Sequence, residues 1–297
     1  MLTTIFCEVD DFCNDFEKVW RCHLLDSGTK KRLRDCTMSL SEIMTIEIHF
    51  HLSGFRCFKH YYLYYIQPIL KKAFPNLVSY NRFVELKKVI AIPLYIFLNT
   101  CKLGKVSGIS FIDSTAIKVC HNLRIKAHKV FKNSAQRGKT SVGWFYGFKL
   151  HLIISDTGDL LGVAFTPGNV DDRDLRVIDQ ITRRIFGKLF GDKGYISQKL
   201  SEMLQGKNIQ LITKLRKNMK NKLMDLTDRI YLRKRALIET VIDFLKNICQ
   251  IEHTRHRSVF NFGVNILAGL VAYTFLEKKP ALRFNKNEYK TLELCLI

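Results

Sequence analysis

The nine cysteines of this 297-residue chain are not spaced as a disulfide framework or a zinc-binding motif. They are scattered and odd in number, and no two are spaced as Cys-x-x-Cys, which excludes the common zinc-finger and disulfide-rich classes. Cys120 stands beside His121, with His128 nearby, but this group lacks the second ligand pair that such a zinc site requires. We therefore expect reduced, mostly buried thiols.

Targeting and membrane signals are also lacking. The first residues contain no basic segment followed by an apolar run, so no signal peptide is expected. The apolar run at residues 89–101 is too short to span a bilayer and contains Pro93. The run at residues 259–276 is long enough, but it contains Asn261 and Asn265 and has basic flanks. We predict a core helix there, no membrane partner and a cytoplasmic location.

Acidic residues are few relative to basic ones. The chain has 48 Lys and Arg against 27 Asp and Glu, a formal net charge of +21. Such an excess attracts polyanions, and binding through phosphates would weaken with salt as counterions are released. Nucleic acid is the partner that we predict, while a basic ribosome-associated or membrane-surface protein remains an alternative.

The first hundred residues have a helical pattern. Ser39 followed by Glu42 predicts a capping box at the start of one helix, and a Ser-Gly break separates it from a second helical run. Two helices across a short turn are compatible with a helix-turn-helix in which Arg56, Lys59 and His60 face a DNA groove. An ordinary antiparallel helix pair is equally compatible with the pattern.

From residue 106 the pattern changes to alternating strands and helices. Residues 106–119, 147–155 and 160–167 are predicted as three antiparallel strands, followed by helix, strand, helix, strand and helix. This order predicts an α/β domain of the ribonuclease H type, in which helices flank one mixed sheet. The fold class is therefore a ribonuclease H-like sheet preceded by an all-helical region.

Three carboxylates fall at positions where this fold brings them together. Asp113 lies inside an apolar strand, and Asp192 ends a second strand that is predicted to lie beside the first. Glu239 lies on the later helix. A carboxylate in an apolar strand costs free energy unless it is paired or binds a metal. Three carboxylates suit two Mg²⁺ ions, for which Mn²⁺ can substitute, in phosphodiester cleavage.

The sequence resembles DDE-type insertion-sequence transposases, specifically the insertion sequence nine-eight-two family. The blocks that carry the resemblance include FIDSTAIKVCHN, TPGNVDDR, LFGDKGYISQKL and LRKRALIETVIDFLKNICQIEHTRHRS, and the similarity runs from about residue 10 to 283. It implies Asp113, Asp192 and Glu239 as catalytic, metal-binding acids. It also implies a helical DNA-binding region at 1–104, a catalytic domain at 105–285 and a tail at 286–297.

The resemblance further implies a function and its partners. The chain would bind the terminal inverted repeats of an insertion sequence, cleave DNA and transfer the strand to target DNA, as a homodimer or higher assembly on the bacterial nucleoid. A ribonuclease H-like nuclease without strand transfer and an inactive DNA-binding repressor remain alternatives. Residues 169–172 are expected to cap the helix that follows the third strand, and we interpret the rival acids Asp171, Asp172 and Asp174 as helix-capping or supporting residues.

DNA contacts are predicted from the same motif and from basic clusters. The family motif around the glutamate is Tyr, two residues, Arg, three residues, Glu, six residues, Lys. Arg235 and Lys246 match this motif around Glu239. The position of its tyrosine is occupied by Leu232, and Tyr231 stands one residue earlier. The predicted basic clusters are Arg124, Lys126, Lys129, Lys132, Arg137 and Lys139, and Lys214, Arg216, Lys217, Lys220 and Lys222. Trp144, Phe145 and Tyr146 either stack on a splayed base or pack in the core, and we favour the core.

Overall fold

The computed structural model describes residues 1–26, 36–214, 224–252 and 256–294, and the chain forms two compact units. The first unit comprises Met1–Lys102 and Phe244–Leu276, and the second comprises Leu103–Asp243 and Glu277–Ile297. The domain bounds predicted from the sequence stay a prediction.

The described part of the chain is helical up to residue 102, and strands first occur after that point. The α-helices are α1 (Leu2–Asp26), α2 (Leu40–Phe50), α3 (Phe58–Tyr61), α4 (Gln67–Ile69), α5 (Tyr80–Leu86), α6 (Ala91–Phe97), α7 (Leu175–Ile181), α8 (Gln198–Gln205), α9 (Leu226–Arg233), α10 (Ala236–Asp243), α11 (Val259–Thr274) and α12 (Lys286–Leu294). The strands are β1 (Ile109–Cys120), β2 (Gln136–Thr140), β3 (Gly143–Ser155), β4 (Leu160–Pro167), β5 (Gly187–Gly191) and β6 (Ile209–Thr213). Segments Tyr62–Ile66, Leu98–Lys102 and Phe244–Ile248 are π-helical, and Lys87–Ile90, Asn122–Ala127 and Lys193–Tyr195 are 3₁₀-helical.

The first unit is all-helical. Helix α2 begins at Ser39, whose hydroxyl accepts from the Glu42 N–H while the Glu42 carboxylate accepts from the Ser39 N–H, so the predicted capping box is confirmed. Helix α11 is buried along most of its length and packs on α2 and α6, which confirms the predicted core helix. Among the described residues, no helix is both long and apolar enough to cross a membrane.

A buried ion pair lies inside this helical unit. The Lys87 ammonium is 2.8 Å from a carboxylate oxygen of Glu47, and both side chains are almost fully buried. The same ammonium lies 3.2 Å from the centre of the Phe58 ring, a cation–π contact. Because a buried charge is costly unless it is paired, each of the two charges depends on the other.

The predicted helix-turn-helix corresponds to α2 and the helical stretch that runs from α3 to α4. Seven residues, 51–57, separate these two helical stretches. Arg56, Lys59 and His60 are exposed at the start of the second stretch. This exposure is compatible with a helix-turn-helix and with an ordinary helix pair, so the helix-turn-helix stays a prediction.

The second unit is built on one mixed sheet of six strands. The order is β2-β3-β1-β5-β6, and β4 also pairs with β3, following β2 along the same edge of that long strand. Strands β1 to β4 are antiparallel, while β1, β5 and β6 are parallel. The predicted ribonuclease H-like fold is confirmed. Strand β2 was not predicted, because its residues QRGKT show no apolar alternation.

Helices cover both faces of this sheet. Ile112 of β1 belongs to a core cluster with Ile178 of α7 and Leu200 of α8. Phe111, one residue earlier, points to the other face, where its ring lies 5.6 Å from that of Phe190 of β5. The Tyr231 ring of α9 lies 5.6 Å from Phe190 on that face. The sheet is therefore buried on both sides, and polar groups within β1 need partners.

Two expectations from the sequence are wrong in detail. Among the eight cysteines that the structure describes, two are buried and five are exposed, so the thiols are not mostly buried. The helix predicted to be capped by residues 169–172 begins later: Asp174 caps α7 by accepting from the N–H groups of Arg176 and Val177. Asp172 bonds to side chains of the sheet instead.

Candidate active site

Asp113 and Asp192 occupy equivalent positions on adjacent parallel strands. Phe111 of β1 and Phe190 of β5 are register partners, and each aspartate stands two residues after its phenylalanine. Because side chains alternate along a strand, Asp113 points to the same face of the sheet as Phe111. Asp192 lies just beyond the end of β5, is exposed, and caps the 3₁₀ turn that follows by accepting from the Gly194 N–H.

Glu239 reaches the same region from α10, which packs against β1. Arg235 connects it to the sheet. One guanidinium nitrogen lies 3.3 Å from Asp113 Oδ2, and the other lies 2.7 Å from Glu239 Oε1. Arg235 therefore bridges a strand carboxylate and a helix carboxylate that are 126 residues apart in sequence.

The environment of Asp113 opposes its ionisation. Burial raises the pKa of its carboxyl from 3.8 to about 6, and the nearby carboxylates of Asp192 and Glu239 add to the increase. The Ser114 N–H, which donates to Oδ1 at 2.8 Å, and the Arg235 guanidinium act in the opposite direction and lower the pKa. Asp113 is thus a partly buried acid surrounded by negative charge, a common property of functional sites.

A second polar group lies on the other face of β1, directly behind Asp113. The Ser114 hydroxyl donates to Asp172 Oδ1 at 2.7 Å, and the Lys149 ammonium donates to the same oxygen at 3.0 Å. Lys149 also donates to the Val170 carbonyl at 2.9 Å. Asp172 is therefore fixed behind the strand that carries Asp113, in a supporting position.

The other two rival aspartates have local partners. Asp171 forms an ion pair of 2.9 Å with Arg173, and the Arg173 N–H groups hold the pKa of its carboxyl down to about 2. Asp174 caps α7 and pairs with Arg176 at 3.0 Å. These contacts agree with the interpretation of both aspartates as capping or supporting residues.

The chemistry of the three carboxylates suits a divalent cation with a preference for oxygen ligands, such as Mg²⁺. In the described parts of the chain, however, no three His, Cys, Asp or Glu side chains converge closely enough to hold a metal ion. Arg235 lies between Asp113 and Glu239 and bonds to both. The donor types therefore fit the group.

The structure distributes the predicted DNA-contacting residues unevenly. Arg235 contacts two of the three carboxylates, Asp113 and Glu239. The Tyr231 ring instead packs among aromatic rings, 5.7 Å from Phe284 as well as close to Phe190. Lys246 lies in the π-helical segment of the first unit, 3.3 Å from Glu252. DNA contact by Tyr231 and Lys246 stays a prediction.

The two basic clusters are described to different extents. In the second cluster Lys214 is exposed, whereas Arg216, Lys217, Lys220 and Lys222 lie outside the described residues. In the first cluster Arg137 and Lys139 are exposed on β2, beside Trp144 of β3. Phe145 and Tyr146 are buried, as predicted. Trp144 is exposed, so the prediction that it packs in the core is wrong.

Sequence reasoning missed Lys149 and its link to Asp172. The available signal was the lysine itself, since it stands in the middle of the apolar strand GFKLHLIIS. The same argument that selected Asp113, a charged residue inside an apolar strand, applies to it.

A mixed sheet with one carboxylate inside β1, a second just after the neighbouring parallel strand β5, and a third on a helix packed against β1, defines a ribonuclease H-like domain with an acidic site. Residues 103–259 match the family model described as the transposase DDE domain, which covers more than half of the chain. The chain belongs to this family and is a DNA transposase. No curated protein matches the chain.

Proposed function

We propose that this transposase binds the terminal inverted repeats of an insertion sequence, cleaves DNA there and joins the freed end to target DNA. The observation that supports the proposal most directly is that Arg235 contacts both Asp113 and Glu239. Asp192 follows the neighbouring strand β5 at the position that corresponds to Asp113 in the β1–β5 register. Membership of the insertion sequence nine-eight-two family, suggested by the sequence blocks, is part of the proposal.

The reaction consists of two displacements at phosphorus. Water attacks the phosphodiester at the transposon end, the bond to the 3′ oxygen breaks, and that oxygen leaves as a hydroxyl. The hydroxyl then loses its proton, attacks a target phosphodiester and displaces another 3′ oxygen. Asp113, Asp192 and Glu239 are proposed to hold the divalent cations, and two Mg²⁺ ions when bound activate water and stabilise the leaving oxygen.

DNA binding is proposed to use Arg235, which contacts Asp113 and Glu239, and cations elsewhere in the chain. On releasing Asp113 the Arg235 guanidinium is suited to bind a phosphate oxygen. Lys246, Lys214, Arg216 and Lys217 are proposed as further phosphate contacts. Because the two transposon ends must be brought together before they are joined to target DNA, the active form is proposed to be a homodimer or a higher assembly on DNA.

The test uses a labelled DNA fragment from the sequence that flanks this chain's own coding sequence, a target plasmid, and Mg²⁺ or Mn²⁺. We expect joined product with the wild type. We expect none with Asp113→Asn, Asp192→Asn or Glu239→Gln, each of which should still bind the fragment. Asp179→Asn is the matched control. Asp179 is partly exposed and pairs with Lys207, so this substitution removes the same charge away from the three acids.

Three outcomes would contradict parts of the proposal. Cleavage without joined product would favour a nuclease, and binding without cleavage under either metal would favour a repressor. Loss of cleavage in Asp172→Asn but not in Asp113→Asn would move the catalytic role to the other face of β1. A readout independent of catalysis is the unfolding midpoint, which Mg²⁺ should raise in the wild type but not in Asp113→Asn.

A further inference from the structure

The hairpin formed by β2 and β3 presents a large aromatic side chain to solvent. Trp144 is 54% exposed, although it is the second residue of β3, a long strand that pairs on both of its edges. Its neighbour Phe145 is buried on the opposite face, and at the tip of the hairpin Val142 is 93% exposed. An exposed tryptophan presents a large flat ring that a ligand can cover, with an N–H group that can bond to it.

Two cations lie against the Trp144 ring. The Arg137 guanidinium is 5.1 Å from the ring centre, and the Lys139 ammonium is 5.8 Å from it. Lys139 is the register partner of Trp144 on β2, and Arg137 is its diagonal neighbour, so all three project from the same face of the hairpin. These cation–π contacts place positive charge over the face of the Trp144 ring.

The surrounding chain adds further positive charge. The side-chain amide of Asn122 donates to the Trp144 carbonyl at 2.8 Å, which places the 3₁₀ segment Asn122–Ala127 next to the hairpin. That segment carries Arg124 and Lys126. Within the part of the chain that the structure describes, none of these four cations forms an ion pair with a carboxylate. The surface is positive and uncompensated.

The backbone beneath the ring is held tightly. A Cβ at Gly138 would lie 2.1 Å from the Gly168 carbonyl oxygen and 2.7 Å from the Phe145 ring, so β2 packs closely on its neighbours. Gly143 has φ +144°, which favours glycine at the turn, and the Thr140 hydroxyl donates to the Gly143 carbonyl at 3.2 Å. The strand beside the ring is therefore closely packed on the sheet at Gly138.

We propose that this hairpin binds an unpaired segment of DNA, with one base stacked on Trp144 and the flanking phosphates on Arg137 and Lys139. An aromatic ring bordered by cations is the usual means of binding single strands, since every base has a face to stack. Paired bases within a duplex do not offer that face. The inference rests on the proposed function for its substrate, DNA, and adds a preference for strands that are unpaired.

The chain has two tryptophans, which makes the test direct. In a Trp20→Phe background, Trp144 is the only tryptophan and reports on its own surroundings. Titration with a 20-nucleotide oligothymidylate should quench its fluorescence by stacking, whereas a blunt 20-base-pair duplex should quench it much less at equal phosphate concentration.

Affinity measurements on the full chain complete the test. Trp144→Ala should weaken binding of the oligothymidylate roughly 5- to 150-fold, and Trp144→Phe should retain most of the affinity. Phe186→Ala is the matched control, because Phe186 is also 54% exposed in the same unit and should have no effect. Arg137→Gln and Lys139→Gln should each reduce the slope of log affinity against log salt by about 0.7.

Three results would overturn the inference. These are unchanged affinity in Trp144→Ala, equal quenching by single strand and duplex, and self-association of the protein that Trp144→Ala abolishes, which would assign the surface to a second copy of the chain. If only the stacking fails while Asp113→Asn still abolishes cleavage, the proposed function stands. If cleavage is never observed but stacking is, the proposed function fails and the hairpin site stands.

Discussion

Replacing Asp113 by asparagine should make the metal-free protein more stable at neutral and alkaline pH. The carboxyl is partly buried near Asp192 and Glu239, and its pKa is raised from 3.8 to about 6. The folded protein therefore binds a proton more tightly than the unfolded chain does. Stability from this group is fully present below about pH 4 and is lost as the pH rises through 6. Asparagine has the same shape and cannot ionise.

The size of the effect follows from the two pKa values. A rise of about two pH units corresponds to about 3 kcal/mol of free energy of unfolding between the fully protonated and fully ionised limits. About half of it, on the order of 1 kcal/mol, falls between pH 5 and pH 8. The contribution of Arg235 is already included, because its guanidinium lowers the pKa and burial still dominates.

The assay is urea unfolding in EDTA at pH 5 and pH 8, followed by circular dichroism, for the wild type and Asp113→Asn. Taking the difference between the two proteins cancels the titration of the groups that do not interact with Asp113. We expect the advantage of the variant to grow by about 1 kcal/mol between the two pH values. An advantage that is independent of pH, or one that shrinks, would refute the argument that ionised Asp113 opposes folding.

The remaining predictions concern the helical unit and use the same unfolding assay. Lys87→Met leaves Glu47 buried without its partner and should cost about 3–5 kcal/mol. Arg82→Met, which removes an exposed ion pair, should cost less than about 1 kcal/mol; equal losses would contradict this contrast. Ser39→Ala removes the capping box shared with Glu42 and should cost about 1 kcal/mol. A neutral result would mean that water replaces the cap.

Features encoded by a few neighbouring residues were predictable from the sequence. The cap at Ser39 and Glu42 is such a case, because both hydrogen bonds depend on a three-residue spacing. The strands around Asp113 and Asp192 were predictable from their apolar composition, and the ribonuclease H-like order of elements followed from them. Their adjacency in the sheet was a topological prediction, and the β1–β5 register confirms it.

Features that depend on distant partners were not predictable. Strand β2 consists of polar residues and becomes a strand because β3 offers it an open edge. Trp144 is a residue type that usually packs in a core, but it is exposed because it lies near the start of β3, where its only neighbour on that edge is β2. The contact of Arg235 with Asp113 links two elements 122 residues apart, and its geometry requires the folded structure.

The order in which the chain passes through the two units limits how the protein can be divided. The helical unit is made of Met1–Lys102 and Phe244–Leu276, so its last helix, α11, follows most of the sheet unit in sequence. A fragment ending at Lys102 would lack α11 and expose the surfaces of α2 and α6 that this helix covers. A fragment beginning at Leu103 would carry α11 with its apolar surface, including the fully buried Val264 and Val271, unprotected. Neither unit can therefore be obtained by a single truncation, and an exchange of the helical unit between such proteins would need two exchanged segments.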